Sequence, residues 1–68
     1  MIVNIKVGGV IPRTILSLEM NNIPAKGEVI SFKQKELDGV KTNDFVVSDR
    51  SWVLDMEDKQ HEINLYVR

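Results

Sequence analysis

Apolar and polar side chains alternate at both ends of this chain, and that period of two constrains the fold more than any other feature. Near the start, Val3, Ile5 and Val7 are separated by Asn4 and Lys6, and near the end Ile63, Leu65 and Val67 are separated by Asn64 and Tyr66. Successive side chains of a strand point to opposite faces, so each run presents one apolar face and one polar face. A helix would scatter the same residues around its circumference.

The turns between the runs are equally legible. Gly8-Gly9 ends the first strand, and Pro12 cannot donate a ladder hydrogen bond, so residues 10–12 read as an extended edge or a bulge. Residues 15–20 read as strand or loop, with Leu16, Leu18 and Met20 on one face; Pro12 and Pro24 leave too little length for a stable helix. Asn21-Asn22 and Pro24 to Gly27 are turn chemistry. Residues 29–34 form a strand with Ile30 and Phe32 on one face, and Asp38-Gly39 is a hairpin signal. Residues 45–54 are the longest strand candidate. The alternation fails at residues 48–51, which predicts a bulge or sharp bend.

These readings give five or six short strands in one domain, residues 1–68, with no helix. The expected architecture is all-β: a small, strongly bent barrel of the SH3-like type, or an open meander whose core is completed by dimerisation. With 68 residues and no cysteine, the chain has a small core and neither disulfides nor thiolate metal sites to reinforce it. Good packing or self-association remains as the source of stability.

Ile23-Pro24 with Gly27-Glu28, the strand that follows, the aromatic-Val-Val run at residues 45–47, Trp52 and the closing Ile63-x-Leu65 form a combination over roughly residues 23 to 67. It resembles short uncharacterised proteins carried by phages, prophages and other mobile elements. The resemblance implies a small β-barrel with an accessory role and carries over no catalytic residue.

Charge and composition exclude several classes of function. Nine basic and ten acidic side chains are interspersed, giving a net charge of −1 and no general attraction to nucleic acid or an anionic membrane. No apolar stretch approaches bilayer-spanning length, and the first residues have no signal-peptide pattern, so a cytoplasmic location without membrane contact is expected.

Asp55, Glu57 and Asp58, with Glu62 nearby, are hard oxygen donors, but Gln60 stands where a calcium loop needs glycine and Lys59 adds a positive charge. They read as a solvated turn, with no metal and no cofactor expected. Histidine is the side chain suited to general-base or ligand roles, yet no serine, threonine or cysteine around His61 has the context of a nucleophile. Gly8-Gly9 lacks the helix that follows a phosphate-binding loop. Lys33, Lys35 and Lys41 near Phe32 and Phe45 would suit single-stranded nucleic acid, but Glu36, Asp38 and Asp44 dilute their field. Arg50 and Trp52 lie two apart on a strand and share a face; with Tyr66 they would make a recognition patch, unless Trp52 is the core anchor that a lone tryptophan in so small a domain usually is. The expectation is a non-enzymatic interaction module that binds another protein or itself through Arg50, Trp52 and Tyr66 or an exposed strand edge. Binding of single-stranded nucleic acid is the alternative.

Overall fold

The computed structural model describes all 68 residues as five strands without a helix: β1 (Ile2–Val7), β2 (Arg13–Glu19), β3 (Val29–Glu36), β4 (Gly39–Leu54) and β5 (His61–Val67). Their spatial order is β2-β1-β5-β4-β3 in a strongly curled half-barrel, the small barrel-like all-β fold that the alternation predicts. All pairings are antiparallel except β1 with β5, which run parallel with Asn4 opposite Asn64 and Ile5 opposite Leu65.

Period two sorts the side chains as expected. Val3 and Ile5 of β1, Ile63, Leu65 and Val67 of β5, and Val47 of β4 are the six buried residues and form the core on the concave face. Val7, Leu18, Met20, Ile23, Ile30, Phe32 and Phe45 pack around them. Phe32 meets Phe45 edge to face, with ring centroids 5.8 Å apart, a geometry that sets the positive edge of one ring against the negative face of the other.

Two bulges decide which residues join that face. The register of β4 on β5 slips between Val47 and Asp49, leaving Ser48 as the extra residue. Its hydroxyl donates to the Tyr66 carbonyl at 2.9 Å, so the irregular ladder is not left short of a donor. Because one extra residue inverts facing, Val47 lies opposite Val67 on the concave side, and Arg50 and Trp52 return to that same side opposite Leu65 and Ile63. The second bulge is at Ile15 in β2, between the pairs Ile5–Leu16 and Lys6–Thr14. It breaks the alternation of this segment, which is a genuine edge strand and not a loop. Val10 and Ile11, by contrast, belong to no strand; they sit on an exposed bend between β1 and β2.

At the bulge, strand ends converge on β4. Gly27 N–H donates to the Val47 carbonyl at 2.8 Å and Val47 N–H to the Glu28 carbonyl at 2.9 Å, while Val46 and Arg68 exchange two bonds of 3.0 Å. Gly27 reaches this position with φ +92°, which side-chain-bearing residues rarely adopt. Beyond this junction the β3–β4 hairpin runs on as an arm. Its turn is Leu37-Asp38, with Gly39 at φ +138° immediately after, and residues 33–44 are exposed. The arm gives the molecule its length: 46 × 24 × 21 Å, with a radius of gyration of 13.4 Å, against about 11 Å for a compact domain of this size.

Candidate interaction surface

The curl does not close. β2 and β3 are both edges, and between them lies a cavity of about 410 Å³ lined by Ile5, Leu18, Met20, Val29, Ile30, Ser31 and Phe32. Six of these seven residues are hydrophobic, so the opening exposes core and not a polar cleft.

The concave face is also uncovered at its far rim. Trp52 is 51% exposed and Leu54 59%, although both share the face of the buried Ile63. Trp52 is therefore no core anchor; it stands where the apolar face runs out into solvent. Leu16, opposite the buried Ile5, is 42% exposed on the β2 side. Arg50 lies opposite Leu65 and is exposed beside Trp52. Tyr66 lies elsewhere. Its pairing with Asp49 puts it on the convex face, where its hydroxyl is 3.3 Å from Ser51 Oγ. The three residues singled out in the sequence thus divide into a concave pair, Arg50 and Trp52, and a convex partner of Ser51.

The convex face carries a polar ladder that the sequence reading missed. Ser17 Oγ donates to Asn4 Oδ1 at 2.6 Å, and Asn4 Nδ2 donates to Asn64 Oδ1 at 3.2 Å and to Glu62 Oε1 at 3.3 Å. Asn64 Nδ2 continues to Ser51 Oγ at 3.5 Å, and Ser51 meets Tyr66. The chain of bonds crosses β2, β1, β5 and β4. Asparagine is depleted in strands, so Asn4 and Asn64 at matching places in two alternating runs were the available signal. The ladder fixes register.

The acidic segment forms a local turn. Asp55 Oδ1 accepts from the N–H groups of Glu57 at 2.9 Å and Asp58 at 3.0 Å. The Asp58 bond, then the Glu57 bond, hold its carboxyl below the ordinary value, with a further contribution from the charge of His61. No three acidic or histidine side chains converge to hold a metal ion. His61 is exposed at the first position of β5.

Comparison with known protein families, curated proteins and solved structures finds no match to this chain.

Proposed function

We propose that this chain is a non-enzymatic protein-interaction module whose binding surface is the uncovered concave face, from the cavity between β2 and β3 to Arg50 and Trp52 at the rim. One observation carries the reading. Apolar side chains on the same face as the core are left uncovered, Trp52 and Leu54 at the β4 rim and Leu16 on the β2 side, and an uncovered apolar patch rimmed by polar residues marks an interaction site.

The composition of the exposed face supports the same reading. Trp52 and Arg50 are among the residue types most enriched at binding hot spots, and the exposed Leu54 shares their face. The flanking edge strands add unpaired backbone groups, which an extended segment of a partner can pair with by strand addition. Single-stranded nucleic acid has less support. Phe32 and Phe45 pack on each other and on the core, so neither offers a free ring for base stacking.

The test is capture of partners by the tagged chain from a lysate split into nuclease-treated and untreated halves. A protein retained equally by both halves, and lost with Arg50→Ala/Trp52→Ala, is the expected result. Retention that disappears with nuclease treatment would replace this reading with nucleic-acid binding.

A further inference from the structure

The side-chain ties across the β3–β4 hairpin stop abruptly. Ser31 Oγ donates to Asp44 Oδ1 at 2.6 Å on one face, and on the opposite face the rings of Phe32 and Phe45 meet edge to face. Both rings pack against the core, as does Ile30 opposite Phe45. Past these two ties the facing pairs are Lys33 with Thr42, Gln34 with Lys41, Lys35 with Val40 and Glu36 with Gly39. Every residue from Lys33 to Asn43 is exposed. No ion pair forms among them, since the ion pair of the molecule joins the N-terminus to Glu19.

The arm beyond the ties is therefore held by backbone bonds alone. A two-stranded ribbon with no covered apolar face is marginal by itself in water, and such segments open at far lower cost than the core they adjoin. The body behind the ties is different. There Gly27, Val46, Val47 and Arg68 exchange the junction bonds, and Val47 is buried. Phe32 belongs to both sides of this boundary. It clasps the arm through Phe45, and it is the last of four consecutive β3 residues, Val29 to Phe32, that line the cavity between β2 and β3.

We propose that the arm is an order–disorder element hinged at the Ser31–Asp44 and Phe32–Phe45 ties: residues 33–43 open while the body stays folded, and because Phe32 is at once clasp and cavity wall, the order of the arm controls the order of the cavity. The consequence for binding rests on the interaction-module reading. A partner that holds Phe32 from the cavity side closes the arm, and by linkage a closed arm strengthens that partner's binding by the same factor.

Amide hydrogen exchange of the full chain, resolved by NMR without any partner, tests the device, with circular dichroism to show that each variant is folded. In the wild type, amides bonded across the arm should be at least about a hundredfold less protected than those of Val46, Val47 and Arg68. Asp44→Ala, which removes one exposed tie, should speed arm exchange about fivefold and leave the junction unchanged. The link to the cavity is read with Lys33→Cys/Thr42→Cys. These residues face each other directly, at a separation a disulfide spans, about 4.5–5.5 Å between Cα atoms, and the chain has no other cysteine. Oxidation should slow exchange in the arm and at Phe32 and Ile30, and reduction should restore both. Arm amides as well protected as the junction would overturn the separately opening arm. A disulfide that slows the arm and leaves Val29 to Phe32 unchanged would overturn the link to the cavity. If both results hold and no partner is retained through Arg50 and Trp52, the interaction-module reading falls alone.

Discussion

The two halves of β4 show what alternation alone can and cannot accomplish. From Val47 to Leu54 the strand pairs with β5, which itself has β1 on its other side, and Val47 at its start joins the core of Val3, Ile5, Ile63, Leu65 and Val67 before the face runs out to the exposed Arg50, Trp52 and Leu54. From Gly39 to Asp44 the same strand has only β3 for company, and every residue there is exposed. Both stretches are extended and hydrogen-bonded. Each half has one hydrogen-bonded neighbour. The difference is that β5 belongs to the wider sheet and carries buried core residues, whereas β3 is an edge with no strand beyond it; without such a core, a strand gains its ladder and almost no hydrophobic stabilisation.

Equivalent truncations in the two regions should therefore have unequal costs. Ile63→Ala, at a residue with no exposed surface, should destabilise the fold by about 2–5 kcal/mol in denaturant unfolding. In a domain this small that approaches the whole of its stability. A cost below 1 kcal/mol would mean that the core is not sealed as described.

The polar ladder lies between the two extremes. Asn64→Ala removes the link from Asn4 to Ser51 and should cost about 1 kcal/mol by the same measurement, since a partly buried partner loses its hydrogen bond. Amide exchange should quicken along the β1–β5 pairing if the ladder fixes register. Unchanged exchange would assign it to surface decoration.

On the arm, Leu37→Ala should change the unfolding free energy of a dilute sample by no more than about 0.5 kcal/mol, the usual range for an exposed position. A large cost at high dilution would show that the arm packs on its own chain.

The smallest effect is expected at the acidic turn. Bonds from Asp58 and Glu57 lower the folded-state pKa of Asp55, so its contribution is present above the ordinary aspartate value and is lost as the pH falls through the lowered folded-state pKa. Turn resonances followed by NMR should move in that acid window in the wild type and stay still in Asp55→Asn. Loss at neutral pH would contradict the assignment.

Much of this was legible in the sequence, because most strands have one wet face and one dry one. Val3 to Val7, Ile30 with Phe32, and Ile63 to Val67 are placed as their alternation predicts. The edge strand β2 was obscured by its bulge at Ile15, which puts neighbouring apolar residues out of phase. The site was harder. Within one strand the sharing of a face by Arg50 and Trp52 follows from spacing, but whether Tyr66 joins them depends on register between strands, and the extra residue at Ser48 settles that against it. Nor does a sequence say that Trp52, apolar and opposite a buried isoleucine, lies one step past the point where cover ends.

That position makes Trp52, the sole tryptophan, a built-in reporter of the central proposal that a partner protein covers the concave face. Its fluorescence, followed as the chain is titrated with a protein that it retains from lysate, should move from the emission of a solvated indole toward that of an apolar setting by mass action. A spectrum that stays solvated at saturating partner would mean that the partner does not cover this face.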